Sequence, residues 1–489
     1  MSSETFNKAK LLFFEGMEYL KKNKYSDAEK KFLLALNLLP ERLSIVGNLF
    51  TIYFNTNKKK ELKNLLDKYT KYSNEKEILY GKAINFHFEE KFTESIKTCE
   101  ELIKFNEIKD FILDLLALNY QKKNLFLDSL KILKKRLKNK KDSNIYYNIG
   151  NFFYEIGRPH QAIYYFNKSK KLNENNKSNL WNLSLCALTL GKLELGFSLY
   201  DNRWQKKTTT IEKKFTEIKI PNNLKEVENK NILISDEQGL GDTIQFSRFV
   251  IDMLEYTKNI TFVVNSKLVD LLSGLDVNIK IVDYQNLELQ NFDYHISLWS
   301  IPKLLNIKKK NNIKFYQLSI SKKDKIKFKN NDNINVGIAW SGNPKYPRDK
   351  YRSINYKYIE GFLLKNKNIN FYKLSRDTNN GKYINYNLLP NLTDLSEKSL
   401  FEISLILNQF DLIVSTDTSL IHLAGILNIK SILLLSCSSD WRWFSDTKKT
   451  IWYPSISIIK QTKFNSWDSV FSELVDVLNE KKNARKNDL

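Results

Sequence analysis

Two short segments of this chain carry residue types able to handle a negatively charged ligand. The first, Ser235-Asp-Glu-Gln-Gly-Leu-Gly-Asp-Thr-Ile-Gln-Phe246, leaves the apolar run Ile232-Leu-Ile234. It enters a stretch with helical spacing at Phe246, Phe249, Val250, Met253 and Leu254. The pattern predicts a strand, a tight turn at Gly239 and Gly241, and a helix N-terminus carrying Asp242. Such a turn brings bare backbone close to a ligand, and the helix end offers unpaired N–H groups. Asp242 either caps that helix or faces the ligand. The second segment, Ser415-Thr-Asp-Thr-Ser-Leu-Ile-His422, gathers the capping-type side chains Asp417, Thr418 and Ser419 at a helix start. A diphosphate suits that position, and His422 falls one turn further along.

Between them lies Trp340-Ser-Gly-Asn-Pro-Lys-Tyr-Pro-Arg-Asp-Lys-Tyr-Arg-Ser353, a loop leaving a strand. It offers Ser341 and Asn343 as polar contacts. Lys345, Lys350 and Arg352 are cations able to neutralise a departing phosphate or, equally, to make an exposed basic loop. The tryptophans of Asp440-Trp-Arg-Trp443 and Trp452-Tyr-Pro454 read as core or as a stacking wall for a base. The Gly239 turn has Ile244 where a dinucleotide fingerprint needs its third glycine. No Gly-Lys-Ser/Thr stands at P-loop spacing.

The elements that would position these residues fall into two kinds. Before Trp204, the chain repeats itself. Asn148, Gly157, Ala162 and Phe166 recur as Asn182, Gly191, Gly196 and Tyr200, each 34 residues on. The small or apolar residue of this register falls at Ala28, Leu62, Ser95, Ser129, Ala162 and Gly196, in steps of 33 or 34. That period is the tetratricopeptide period, two antiparallel helices per unit, with five to six units expected. Aromatic stripes such as Phe152, Phe153 and Tyr164 to Phe166 read as inter-helix packing, and His87 and His160 as structural histidines.

After a polar connector over 205–230, strands alternate with helices at Ile232–Ser235, Ile260–Val264, Ile279–Val282 and Tyr294–Ser297. A second series begins at Asn335–Trp340 and continues at Phe371–Leu374, Leu412–Ser415 and Ile432–Leu435. A lysine-rich run from Lys303 to Lys329 reads as a solvated loop or hinge between the two series. Two such series imply two doubly wound α/β halves whose ligand sites lie beyond the strand C-termini.

Composition narrows the partners. Net charge is +23, but Lys, Asn, Ile, Tyr and Phe are abundant together, as in an AT-rich coding bias, and Arg is scarce beside Lys. No nucleic acid is expected as a partner, and at most peripheral membrane contact. Cys99, Cys186 and Cys437 have no disulfide or metal spacing. With no secretory pattern and no spanning apolar run, they predict a cytoplasmic protein.

Taken in order, Glu237–Phe246, Trp340–Pro344, Arg352–Ile354, Asp417–Ser419 with His422–Gly425, and Asp440–Trp443 with Trp452–Pro454 resemble a known family. The chain is similar to bacterial tetratricopeptide-repeat glycosyltransferases whose catalytic half resembles the lipopolysaccharide heptosyltransferases. Its arrangement is similar to the protein O-linked N-acetylglucosamine transferases. The resemblance implies an α solenoid followed by an α/β GT-B region with two Rossmann-like halves. Repeats would span 1–205, a linker 206–228, an acceptor-side half 229–330 and a nucleotide-sugar half 331–480. It implies sugar transfer from a nucleotide-diphosphate donor to a hydroxyl of a protein, glycan or lipid-linked acceptor, without cofactor or metal, and a protein partner on the repeats. By the same analogy Asp242 is the general base, and Arg352 or Lys350 faces the leaving diphosphate. Gly239, Gly241, Ser341, Asn343, Asp417, Thr418, Ser419 and His422 line the substrates. Leu374-Ser-Arg376 and Leu427-Asn-Ile-Lys430 depart from the family pattern. A repeat scaffold with a silent transferase-like half is the alternative.

Overall fold

The computed structural model describes residues 3–105, 110–139, 141–205, 215, 217–289, 291–320, 333–346, 348–375, 386–445 and 448–487. Among the described residues, twelve helices precede the first strand and form six successive pairs. They are α1 (Ser3–Lys21) and α2 (Tyr25–Leu38), α3 (Leu43–Asn55) and α4 (Lys59–Lys68), and α5 (Lys76–Phe88) and α6 (Phe92–Leu102). The remaining pairs are α7 (Asp110–Lys122) and α8 (Phe126–Asn139), α9 (Ser143–Glu155) and α10 (Pro159–Leu172), and α11 (Lys177–Thr189) and α12 (Leu193–Tyr200).

The register residues explain the pairing. Ala28, Leu62, Ser95, Ser129, Ala162 and Gly196 each stand fourth in the second helix of a pair, and every one is buried. Five positions earlier, each turn has one residue in the left-handed region: Asn23, Asn57, Glu90, Asn124, Gly157 and Gly191. The next N–H then closes back onto the first helix, as in Lys58 N to Tyr53 O (2.9 Å) and Lys91 N to Phe86 O (2.9 Å). This is a Schellman stop, which ends the first helix and reverses the chain. His87 is structural as expected, with Nδ1 2.6 Å from Asn119 Oδ1.

The chain divides into two compact units. One comprises Met1–Phe152 with Lys171–Asn173; the other comprises Phe153–Lys170 and Glu174–Leu489. In the first, Phe32, Leu49, Phe50, Tyr80 and Leu116 belong to a continuous apolar core.

The second unit contains two parallel sheets. One has β1 (Ile232–Ser235), β2 (Ile260–Val264), β3 (Ile279–Asp283) and β4 (Tyr294–Ser297), in the order β3-β2-β1-β4. The other has β5 (Ile334–Ala339), β6 (Ile369–Lys373), β7 (Leu392–Asp394), β8 (Leu412–Thr416), β9 (Ser431–Leu435) and β10 (Ile456–Lys460), in the order β10-β9-β8-β5-β6-β7. Strands β1, β5, β6, β8 and β9 are buried along their whole length, as strands covered on both faces must be. The helices of this region are α13 (Leu240–Asp252), α14 (Ser266–Leu272), α15 (Ile301–Leu304), α16 (Asp349–Arg352), α17 (Tyr356–Lys365), α18 (Leu400–Ser404), α19 (Ser419–Ile426) and α20 (Asp468–Asn487). Strand order reverses between β1 and β4 and between β5 and β8, so each sheet has a crevice at the C-terminal ends of those strands. The helix after β1 is α13, and the helix after β8 is α19.

One sequence expectation, the free lysine-rich loop, is corrected, and two other readings are extended. Strands β7 and β10 were not anticipated, the first for its three-residue length and the second because a proline and a serine precede it. The lysine-rich run is no free loop over its described part. Ile301–Leu304 is helical, Ile307 and Leu318 are buried, and Leu318 N donates to Ile426 O (2.9 Å); positions 321–329 lie outside the described residues. The connector also anchors itself. Phe215 packs on the His295 ring (centroids 4.6 Å) and Pro221 is buried, while 206–214 and 216 lie outside the described residues.

Candidate functional site

A cavity of about 620 Å³ opens between the ends of β1 and β8. Of the candidate residues, Gly239, Gly241, Asp242, Ser341, Asn343, Arg352, Asp417, Thr418, Ser419 and His422 all line it. Lys350 does not: its Nζ lies 4.8 Å from the centre of the Tyr351 ring. The intervening loop turns through α16, which sends Arg352 inward and Lys350 elsewhere.

The two helix turns meet directly. A Cβ added at Gly241 would stand 2.7 Å from His422 Cδ2 and 3.2 Å from Ser419 Cα, so only glycine fits this contact. Asp242 caps its helix and also faces a cation. Its Oδ2 accepts from Gly239 N (2.8 Å), capping α13, while Oδ1 lies 2.6 Å from Arg442 Nη2. The latter is a charge contact whose angle falls short of a hydrogen bond. Arg442 also reaches Asp440 Oδ1 (3.2 Å) and is buried between these anions.

On the α19 side, Asp417 Oδ1 lies 3.8 Å from His422 Nε2, and His422 Nδ1 lies 3.1 Å from Tyr453 Oη. Burial by itself would raise Asp417, but contact with His422 and the charges of Arg442 and Arg352 outweigh it. Asp417 is thereby held well below the usual carboxylate range. Burial lowers His422, which favours the neutral imidazole, and raises Asp440. Arg352 is oriented by Asp349 (Nε to Oδ1, 2.9 Å) and donates through Nη1 to the Asp417 carbonyl (2.6 Å). Ser415 Oγ and Thr418 Oγ1 are 3.0 Å apart at the turn into α19.

Where the two turns meet, the arrangement therefore combines the N-termini of α13 and α19, the guanidinium groups of Arg352 and Arg442 and the carboxylates of Asp242 and Asp417. Guanidinium groups and helix N–H donors suit an anionic oxygen cluster, and a carboxylate opposite them suits proton acceptance from a hydroxyl. Among the described residues, no three His, Cys, Asp or Glu side chains are gathered as metal ligands would be.

Sequence reasoning missed Arg442. The available signal was an arginine embedded in Asp440-Trp-Arg-Trp443, overshadowed by the tryptophans around it. It also missed Ser266, Lys267 and Asp270 of α14 and Ser396 to Glu402, which line the opposite wall. Trp441, Trp443 and Trp452 are core: all three are buried, and Trp443 stacks on His422 (centroids 5.1 Å). Among the described residues lining the cavity there is no tryptophan. Of the departures from the family pattern, Leu374 lines the cavity, and Arg376 lies outside the described residues.

No protein-family model and no curated protein matches this chain. Solved structures similar to parts of it include ADP-heptose lipopolysaccharide heptosyltransferase II of E. coli, at 11% identity, TM-score 0.37, over 52% of this chain and 99% of that one. A tetratricopeptide repeat protein from Parabacteroides merdae matches at 15% identity and TM-score 0.29, over 42% of this chain and 82% of its own. A tetratricopeptide repeat protein of Thermus thermophilus matches at 12% identity and TM-score 0.31, over 37% of this chain and 99% of its own. The described residues form an N-terminal region of paired helices repeating every 33 or 34 residues and a C-terminal parallel-sheet α/β region. Among the described residues, no helix is long and apolar enough to cross a membrane.

Proposed function

We propose that the α/β region is a glycosyltransferase of GT-B type, with Rossmann-like halves over 229–330 and 331–480. It moves a sugar from a nucleotide-diphosphate donor to an acceptor hydroxyl. The observation that carries this reading is the convergence of the α13 and α19 N-termini, with Asp242, Arg352, Asp417, His422 and Arg442, on one cavity. In this reading Arg352 and the N–H groups of α19 hold the leaving diphosphate. Asp417, Thr418, Ser419 and His422 contact the donor, and Asp242 accepts the acceptor's proton. The displacement breaks the bond from the sugar's anomeric carbon to the diphosphate oxygen and forms one to the acceptor oxygen. The departing diphosphate keeps the electron pair. Repeats over 1–205 bring an acceptor or protein partner to a cytoplasmic enzyme.

Thermal shift across UDP-, GDP- and ADP-linked sugars tests donor binding. A donor at a hundredfold over its dissociation constant stabilises the site by about 2.7 kcal/mol. Asp242→Asn should abolish turnover while donor binding persists, and undiminished turnover removes Asp242 from the base role. One observation favours the second reading, a silent transferase-like half. Both Asp242 oxygens are already engaged, by Gly239 N and Arg442. Donor binding without turnover for any acceptor would support it.

A further inference from the structure

We propose that the helical segments Phe153–Lys170 and Glu174–Trp204 form a positioning frame for the cavity's loops and are not an interchangeable part of a binding surface. The compact unit that holds both sheets also holds Phe153–Lys170 and everything from Glu174 onward. Its helical part touches the site at two separate places.

The first place is the turn between β1 and α13. Arg203, just after α12, is buried and donates through Nε to Glu237 Oε1 (2.7 Å), and through Nη2 to Ser300 Oγ (2.9 Å). Ser297 at the end of β4 completes the network, donating to Glu237 Oε2 (2.7 Å). A carboxylate buried this deeply needs its guanidinium partner. The next residue, Gln238, has φ +68, a left-handed backbone that a side chain must be held in. Its amide donates to Tyr200 Oη (3.2 Å), and Tyr200 is fixed by stacking on Trp299 (centroids 5.3 Å, planes 12° apart). Glu237 and Gln238, immediately before the Gly239–Asp242 turn, are therefore both gripped from the last repeat.

The second place is the pair of loops after β5 and β9. The Arg348 guanidinium lies over the Tyr154 ring (4.8 Å) and donates to Ser438 O (3.1 Å). Ser438 Oγ in turn donates to Glu155 O (2.7 Å). Gly157, with φ +72, approaches so closely that a Cβ there would stand 2.4 Å from Cys437 O. Further along, Ser445 N donates to Thr189 O (3.1 Å). These loops lead to Arg352 on one side and Arg442 on the other. The positions of Asp242, Arg352 and Arg442 are thus set by one helical frame, with Tyr200 and Arg203 as positioning residues for the first of them.

The test uses the full chain with Tyr200→Phe, which removes one hydroxyl and keeps the ring, and Arg203→Lys. Amide exchange of residues 236–243 should rise about five- to tenfold in each variant, the loss expected for one hydrogen bond, while exchange in β10 stays constant. Unchanged exchange over 236–243, or an equal rise in β10, overturns the proposal. A second readout rests on the transferase reading. Release of nucleoside diphosphate from the UDP-, GDP- and ADP-linked sugar panel should lose about tenfold or more in kcat, with donor KM within about twofold. A matching rise in KM at constant kcat overturns the positioning role. If the unmodified protein is silent across the panel, the transferase reading fails on its own and the exchange result still decides the frame.

Discussion

The contact between Asp242 and Arg442 joins the helix after β1 to the loop after β9, so it ties the two sheets together across the cavity. Its contribution can be isolated by a double-mutant cycle with Asp242→Asn and Arg442→Met. The side chains are 14% and 11% exposed and 2.6 Å apart. At an effective dielectric of about 20, the gross attraction at that distance is about 6 kcal/mol. Desolvation of both ions offsets much of it, so the coupling energy should be about 2 kcal/mol. Arg442→Met alone should cost about 3–5 kcal/mol, because it leaves Asp242 and Asp440 without their shared cation. Asp242→Asn should cost about 1–2 kcal/mol, since the amide oxygen still accepts from Gly239 N and Arg442 keeps Asp440. The assay is urea unfolding followed by tryptophan emission. All eight tryptophans, from Trp181 to Trp467, lie in the unit that carries the site, so the signal follows that unit alone. Single variants that add to within about 0.5 kcal/mol in the double variant would refute the claim that this ion pair fastens the two sheets.

Gly241→Ala should destabilise the same unit by about 1–3 kcal/mol, because its methyl meets His422 and Ser419, and tryptophan emission in urea reads the loss; an unchanged midpoint would mean the turns part freely. Glu90→Asn should stabilise the repeats by about 0.5–1 kcal/mol, since Glu90 holds a left-handed φ of 61 where three of its counterparts are asparagine, a gain visible as slower amide exchange in α5 and α6. Burial depresses His295 from 6.5 to about 4, so the native state refuses a proton that the unfolded chain accepts below 6.5. Its stabilising contribution is therefore present at neutral pH and is lost as pH falls from 6.5 towards 4, by about 2 kcal/mol at pH 5. His295→Gln should lower stability at pH 7 but flatten the loss between pH 7 and pH 5, and parallel curves for the two proteins would refute the assignment.

Local patterns were legible in the sequence because their causes are local. The 33- and 34-residue steps marked the helix pairs, since each turn needs one left-handed residue and each second helix one small or apolar residue at its fourth position. Strands β1, β2 and β4 have the bounds expected for them; β1 and β2 are mostly apolar, as strands buried on both faces are, whereas β4 places the polar His295 and Ser297 in the interior. β10 (Ile456–Lys460) was missed although its pattern is apolar. Pro454 and Ser455 stand directly before it and mask its start. The lysine run misled for a different reason: Ile307 and Leu318 are its only deeply buried described side chains between Lys303 and Ile320, too few to outweigh the cations in composition.

What no local pattern could give was the partner of each charge. Asp242 and Arg442 stand 200 positions apart, and Arg203 follows the last repeat helix while Glu237 follows β1. Sequence spacing identifies a residue able to bear a charge but not what neutralises it, and in a buried site the neutralising group decides the chemistry. Arg442 illustrates the point. Read alone it is one cation among tryptophans, whereas between Asp242 and Asp440 it sets which carboxylate remains open to a ligand. Asp417, held low by His422, Arg442 and Arg352, is anionic at any physiological pH, so a bound diphosphate must be stabilised against that charge. Arg352, bonded to the Asp417 carbonyl, is placed to do so, and Lys350, facing Tyr351, is not. The cation opposite a leaving diphosphate in the proposed reaction is therefore Arg352. An Arg352→Gln variant should weaken nucleoside diphosphate binding by about tenfold or more, and Lys350→Gln by less than about twofold, as measured by calorimetry with UDP, GDP and ADP. Equal losses in the two variants would return the choice between them to where the sequence left it.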